Sequence, residues 1–358
     1  MRLYIALLFT FIQLNAQSGI ISGFISDSSS AEALIGANVI LQETGQGMAT
    51  DINGYYIIQD ITPGNYVLMV SYVGFKLKKE KLKISDGQSI KLDISLSEDV
   101  VELTQIEVTA EQIQRKSNIQ PSKINLSPRM MKAAPALAEP DLFRTIQALP
   151  GVLTTSEFST GLVIRGGNTD QNLILLDGVT VYNPSHLGGI FSNFIVDGVK
   201  EAELIKGAYN AEYGGRLSAV LNIISREGNQ KKFEGKANLS LLSAQATIEG
   251  PFYKGAWVFS GRRTYFDKIF QNVPTIPPYY FYDIQSHIYT DLTSKDRLSL
   301  SFYNGVDDLL FDTFGLTGRW GNRTVSAQYR RVFSEKLIGN FLYANSLFFT
   351  EFGLGGSN

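Results

Sequence analysis

The sequence predicts a mainly β protein with one small α+β unit. Three observations carry this. Residues 17–97 hold short apolar runs cut by turn signals, and residues 233–358 alternate apolar and polar side chains with a period of two. Between them lies a single helical stripe, Leu142, Phe143, Ile146 and Leu149. High counts of Gly (33), Tyr (17) and Phe (22), with only 18% charged residues, agree with sheet.

Composition also excludes function classes. Lys and Arg total 32 and Asp and Glu 34, a net charge of −2, so the basic excess expected of a nucleic-acid protein is missing. Cysteine is absent, which rules out a disulfide framework, a thiol nucleophile and a thiolate metal site. The two histidines, His186 and His287, lie far apart in sequence, so a His-based zinc site or a Ser-His-Asp triad is poorly supported. No catalytic residue, metal or cofactor is expected.

Residues 1–16 read as an export signal. Met1-Arg2 is a short positive region, residues 3–14 are almost wholly apolar, and Leu14-Asn15-Ala16 resembles a small-residue cleavage site. The run is too short to span a bilayer as a helix.

Residues 17–97 read as a small β-sandwich, with strands expected at 20–25, 37–42, 55–58, 66–73 and 91–96. Asn53-Gly54 is a hairpin signal between 47–51 and 55–58, and Pro63-Gly64 marks the next turn. A calcium loop beginning at Asp51 would need a bidentate Glu where Thr62 stands, so the turn is preferred. Three stretches resemble the carboxypeptidase-regulatory-like, transthyretin-type domain: Thr50-Asp51-Ile52-Asn53-Gly54-Tyr55-Tyr56, Ile61-Thr62-Pro63-Gly64-Asn65-Tyr66 and Ser71-Tyr72-Val73-Gly74-Phe75. No zinc-binding H-x-x-E follows, so the resemblance implies an accessory module and not a peptidase.

Residues 98–120 read as a polar linker with one β-prone island, Ile106, Glu107, Val108, Thr109 and Ala110. Such an island can add to a partner's sheet edge, or can be the last edge strand of the preceding domain.

Residues 121–230 form the α+β unit. Pro140-Asp141 opens the helix, with Pro placed at the first helical position, and Pro150-Gly151 ends it. Strands follow at 162–164, 173–176, 202–205 and 220–224. Six motifs then occur in order: Leu149-Pro150-Gly151-Val152, Ile164-Arg165-Gly166-Gly167, Leu175-Leu176-Asp177-Gly178-Val179, Glu203-Leu204-Ile205-Lys206-Gly207, Ala211-Glu212-Tyr213-Gly214-Gly215-Arg216 and Leu221-Asn222-Ile223-Ile224. Together they resemble the plug of a TonB-dependent outer-membrane receptor of the Bacteroidetes type, and the island at 106–110 then stands where that family's TonB box lies. The glycines supply positive φ or close backbone approach, and Asp177-Gly178 is a turn between strands. Arg165 and Arg216 are expected to pair with carboxylates of a barrel wall, ahead of binding an anionic ligand. His186, in the polar loop Asn183-Pro184-Ser185-His186-Leu187-Gly188-Gly189, is expected to be exposed and is a weak candidate for ligand contact.

Residues 231–358 read as the start of an outer-membrane β-barrel. Leu239, Trp257, Phe259, Ile284, Leu300 and Phe341 are assigned to lipid, with polar residues between them. A soluble sandwich would share this period. Short connections at 250–255, 293–296 and 334–336, against long ones at 266–280 and 306–321, favour the barrel. The 126 residues from Phe233 to Asn358 suffice for six or seven strands, whereas plugged transporters need about 22. The sequence is therefore expected to be the N-terminal part of a longer receptor.

The resemblance implies uptake of a scarce ligand across the outer membrane: an iron chelate, a cobalamin, a glycan or a peptide. Its implied partners are a periplasmic TonB-type energy transducer, outer-membrane lipid, the ligand and, in such receptors, a surface lipoprotein. No nucleic-acid partner is implied. The N-terminal domains would face the periplasm. The alternatives are a surface-exposed binding or adhesion protein and, ranked last, a secreted hydrolase.

Overall fold

A computed structural model describes residues 18–99, 123–134, 139–156, 159–273, 277–293, 295–311, 315–334 and 337–354. The export-signal stretch and the 106–110 island lie outside the described residues. Two compact units are present, one of residues 18–28 and 33–99, the other of residues 123–354 with 29–32.

The first unit is a sandwich of eight strands: β1 (Gly19–Asp27), β2 (Asn38–Leu41), β3 (Gly47–Ala49), β4 (Tyr55–Ile61), β5 (Gly64–Ser71), β6 (Lys78–Ile84), β7 (Ser89–Lys91) and β8 (Ile94–Leu96). One sheet runs β4-β1-β7, with β8 also on β1, and the other runs β3-β2-β5-β6. Ile21, Ile25, Val39, Leu41, Tyr56, Leu68, Val70 and Leu96 fill the space between them.

Two expectations change here. Asn53-Gly54 does make a tight turn, in which Asp51 Oδ1 accepts from Asn53 N and Tyr55 N, each at 2.8 Å, and Gly54 has φ +72°. The turn does not close a hairpin: β3 and β4 belong to different sheets, so it carries the chain across the sandwich. The run expected at 91–96 is two strands, because Asp93 Oδ1 takes the Phe24 N–H at 3.0 Å in place of a backbone carbonyl. The sequence reading also missed β6, whose Lys78, Lys79, Lys81 and Lys83 hide the inward alternation of Leu82 and Ile84. Charged side chains on an outer strand discourage edge-to-edge pairing.

The second unit contains β9 (Lys123–Leu126), helix α1 (Pro128–Ala133), helix α2 (Leu142–Gln147), β10 (Val152–Thr154), β11 (Leu162–Ile164), β12 (Leu173–Leu176), β13 (Val179–Thr180), β14 (Ser185–His186), β15 (Phe191–Ser192), β16 (Val199–Ile205) and β17 (Val220–Ser225). The central sheet is β13-β12-β17-β16-β9, with β12 parallel to β17. Met131, Phe143, Ile146, Ile174, Leu176, Phe194, Leu204 and Leu221 form its core with the helices. Asp177 (φ +51°) and Gly178 (φ +80°) make the two-residue turn between β12 and β13, as the sequence predicts. Pro140 is not the first helical residue. Asp141 caps α2 by accepting from Phe143 N at 2.8 Å and Arg144 N at 3.1 Å, which puts the proline outside the helix.

The same unit continues into seven antiparallel strands joined in sequence order: β18 (Glu234–Leu239), β19 (Ser243–Phe252), β20 (Gly255–Thr264), β21 (Tyr279–Asp291), β22 (Asp296–Phe311), β23 (Leu316–Ser334) and β24 (Leu337–Leu354). A short helix, α3 (Phe266–Ile269), lies in the connection from β20 to β21. The expected long loop at 306–321 is mostly ladder, pairing continuously from Val306↔Gly321 to Phe311↔Leu316. Asp308 stands opposite Arg319, and this cross-strand charge pairing in a polar stretch reads as loop in sequence.

The sheet is apolar on its exposed face and polar on its buried one. Phe259 is 40% and Leu300 48% exposed, while Ser260, Arg262, Asp283, Gln285 and Asp307 are buried. A water-soluble sandwich would show the reverse, so the period-two ambiguity resolves toward a sheet whose outer face meets lipid. Among the described residues no helix is long and apolar enough to cross a membrane.

Candidate functional site

The buried polar face of the seven-stranded sheet meets the α+β unit through two clusters of charge. The first lies toward the end of the sheet that carries the long 265–278 connection. Leu187, Gly188 and Gly189 all have positive φ (49°, 63° and 105°), and the amides of Gly189 and Ile190 both donate to His186 O at 3.0 Å. This turn drives the His186 ring into the sheet. Nε2 lies 2.8 Å from Asp283 Oδ1 and Nδ1 lies 2.7 Å from Asp307 Oδ2. The ring stacks on Phe281 at 4.1 Å and 5°.

Each carboxylate has further donors. Tyr303 donates its hydroxyl to Asp283 Oδ1 at 2.8 Å, and Arg262 donates Nε at 2.9 Å and Nη2 at 2.6 Å to Oδ2. Asp307 Oδ1 accepts from Leu187 N at 3.0 Å and from the Tyr279 hydroxyl. Arg262 reaches back to the α+β unit, donating Nη1 to Glu139 Oε1 and Nη2 to Ser192 O, both at 2.6 Å. Ser243 donates to the other Glu139 oxygen. His186, Asp283, Asp307, Arg262 and Glu139 are each at most 5% exposed. Such burial is tolerable only because hydrogen bonds occupy the charged atoms.

With both carboxyl groups ionised each only accepts, so both ring nitrogens of His186 donate and the ring is an imidazolium. Burial opposes that charge, but Asp283 and Asp307 outweigh it and raise the imidazole from 6.5 to about 9.

The second cluster lies toward the short turns. Arg226, just after β17, donates Nη1 and Nη2 to the two oxygens of Glu249, at 2.9 and 2.7 Å. Arg297 on β22 donates to Glu227 at 3.1 Å and to both oxygens of Asp291 at 2.7 and 3.1 Å, and lies 4.1 Å over the Tyr289 ring. Between the clusters, Gln285 donates to Ser225 Oγ at 2.9 Å. Asp177 accepts from Ser225 N at 2.8 Å and from its hydroxyl at 2.7 Å, tying the β12–β13 turn to the end of β17.

The site residues expected from sequence divide sharply. His186 is not exposed; it is 1% accessible and central to the first cluster. Arg165 stands exposed in a turn with Gly166 (φ +49° and +81°), and a Cβ on Gly207 would lie 3.5 Å from its Nη1. Arg216 donates to its neighbour Gly215 O at 3.0 Å. The wall carboxylates Glu249, Asp283 and Asp307 are held instead by Arg226, Arg262 and His186. Lys206 donates to Pro150 O at 2.8 Å and joins two of the motifs. Tyr213 packs against Leu173, Leu175, Ile205 and Val220. Gly167 is a close approach, since a Cβ there would lie 2.4 Å from Ser218 Oγ, and Gly207 (φ +94°), Gly215 (+81°) and Gly178 (+80°) are turns. Among the described residues no group of three or more His, Asp or Glu side chains is placed to hold a metal.

Residues 125–220 match the TonB-dependent receptor plug domain, and residues 21–108 match the CarboxypepD_reg-like domain. The chain carries the plug of a TonB-dependent receptor. Its partner in both charge clusters is a partial barrel wall, β18 to β24. The receptor sequence is 30% identical over 250 residues to the TonB-dependent receptor P26 of Formosa agariphila, covering 65% of this chain and 23% of that protein. It is 24% identical over 229 residues to the TonB-dependent transporter Oar of Myxococcus xanthus, covering 60% and 21%. The chain thus spans about a quarter of the length of the curated relatives it matches. The siderophore receptor PirA of Pseudomonas aeruginosa aligns with a TM-score of 0.50 at 16% identity, over 66% of this chain and 42% of that one, and shares the fold.

Proposed function

We propose that the receptor is an outer-membrane transporter that takes up a scarce ligand, an iron chelate, a cobalamin, a glycan or a peptide, without chemical change. One observation carries this reading: a sheet with an apolar outer face holds a plug on its inner face through reciprocal buried ion pairs. A plug held largely by charge pairs, with apolar contact to the wall at Phe191, Phe194, Phe281 and Tyr303, can be released without unfolding the wall. In this reading residues 1–16 are an export signal, 17–97 the periplasmic regulatory-like domain, 98–120 the tether, 121–230 the plug and 231–358 the first part of the barrel. The segment Ile106, Glu107, Val108, Thr109 and Ala110 is the energy-coupling box, which adds as a strand to a TonB-type periplasmic protein. The regulatory-like match runs to residue 108 and overlaps this segment, so the edge-strand alternative has a sharp test. Proline cannot donate to a partner strand, and Val108→Pro in the whole receptor is expected to abolish energy-dependent accumulation while leaving surface binding of the same compound intact. The assay screens ferric siderophores, cobalamin, oligosaccharides and peptides. Normal accumulation by the variant would return the segment to the regulatory-like domain. Binding with no accumulation by either protein would favour an adhesion receptor.

A further inference from the structure

The two clusters differ in one chemical respect. The plug offers the second Arg226, which stays charged at any pH a cell meets, together with Lys200 beside Glu227, but offers the first one histidine, whose charge does not persist. We propose that His186 is a charge-dependent clasp: as imidazolium it holds the outer plug loop, residues 182–191, on the wall, and as neutral imidazole it frees that loop while the Arg226 and Arg297 pairs keep the rest of the plug seated.

The geometry requires the charge. A neutral ring has one N–H; its other nitrogen would present a lone pair to a carboxylate oxygen under 3 Å away, losing a hydrogen bond and adding repulsion. Among the described residues, the charged and titratable groups that face the ring belong to the same cluster: Asp283 and Tyr279 on β21, Asp307 and Tyr303 on β22, Arg262 on β20, and Glu139 behind Arg262. Arg262 is already committed to Asp283 and Glu139, so when the imidazolium discharges Asp307 keeps only neutral donors, Leu187 N and the Tyr279 hydroxyl. The loop's other polar ties to the wall use neutral loop groups, Leu187 N to Asp307 and Tyr279 and a reciprocal pair between Asn183 and Asn322. Its apolar contact is the packing of Leu187, Ile190 and Phe191 against Tyr279 and Phe281, so the imidazolium is the only charge by which the described loop residues hold the wall. The sheet strand β17, by contrast, leads directly into Arg226. His186 is in this sense a positioning residue for transport, and the inference rests on the transport reading only for its purpose.

The sign follows from linkage. The seated ring titrates at about 9 and the ordinary imidazole at 6.5. The charge therefore favours seating fully below 6.5 and is lost as pH rises through 9. His287 is the other histidine of this chain, and its Nδ1 is bonded to Ser301 Oγ on the wall, away from the plug loop.

Hydrogen–deuterium exchange of the purified whole receptor tests this without ligand or energy source, so its failure is separate from failure of the transport reading. After correction for intrinsic rates, peptides covering 182–191 should exchange about tenfold or more faster at about pH 9.5 than at about pH 6, while those covering 220–225 should not change. His186→Gln should give fast loop exchange at both pH values. Should that variant fail to assemble, Asp307→Asn removes one counter-charge and should move the loop's transition down toward the ordinary histidine range. Loop protection independent of pH in the unmodified receptor, equal loss of protection in both segments, or an unshifted transition in Asp307→Asn would each overturn the proposal.

Discussion

The upper and lower clusters are built to one plan from different parts. Above, the plug contributes His186 and Glu139; below, it contributes Arg226 and Glu227, with Lys200 also 3.9 Å from Glu227. In each, the wall answers with two carboxylates and one arginine: Asp283, Asp307 and Arg262 above, Glu249, Asp291 and Arg297 below. A plug slipped along the wall would set like charges against each other, so the reciprocal pattern fixes position as well as attraction. The difference is burial. The upper side chains are at most 4% exposed, whereas Arg226 is 16%, Arg297 12% and Glu227 11% exposed. The upper cluster is thus costly to break, and the lower is partly compensated by water when it opens.

That contrast orders the expected effects of mutation. Arg262→Ala leaves Asp283 and Glu139 buried with one cation removed, at a cost of about 3–5 kcal/mol. The plug should no longer seat, and cells producing the whole receptor should become sensitive to vancomycin, which an intact outer membrane excludes. Arg226→Ala removes a bidentate pair that is partly wet, at about 1.5–3 kcal/mol. Its vancomycin sensitivity should be distinctly weaker than that of Arg262→Ala. Equal leakage from both variants would break the distinction between the clusters. Leakage from Arg226→Ala alone would reverse it.

Sequence made the strands and turns more legible than the charge clusters. The Asp177-Gly178 turn, the α2 stripe and the alternation of the wall are local, and each was readable because its residues are near neighbours in the chain. Glu139, His186, Arg262, Asp283 and Asp307 are scattered over 168 positions, and only the antiparallel register of β20, β21 and β22 brings the last three together. His186 looked exposed because Asn, Pro, Ser and Gly surround it; the positive φ angles that turn its ring inward leave no trace in hydropathy. Arg165 and Arg216 stand out in sequence because they lie inside glycine motifs, yet Glu249, Asp283 and Asp307 take their charged partners from Arg226, Arg262 and His186. A usable signal was present: Arg262, Asp283 and Asp307 occupy the polar positions of strands whose other face is apolar, and a charge at such a position needs a partner across the interface. The wall also repeats the lesson of β6. A strand dense in charge reads as loop or surface until its neighbour is known.

The central claim is that the sheet carries lipid on one face and the plug on the other, and neighbouring positions test it most directly. This chain has no cysteine, so single cysteines can be placed at Phe259, Ser260, Ser299 and Leu300 of a cysteine-free whole receptor and labelled with an environment-sensitive dye in membranes. Labels at 259 and 300 should report hydrocarbon and be quenched by lipid-borne quenchers, while 260 and 299 should be shielded from both lipid and bulk water. Quenching at 260 and 299, or aqueous signals at 259 and 300, would contradict a membrane wall and make the sheet half of a soluble sandwich.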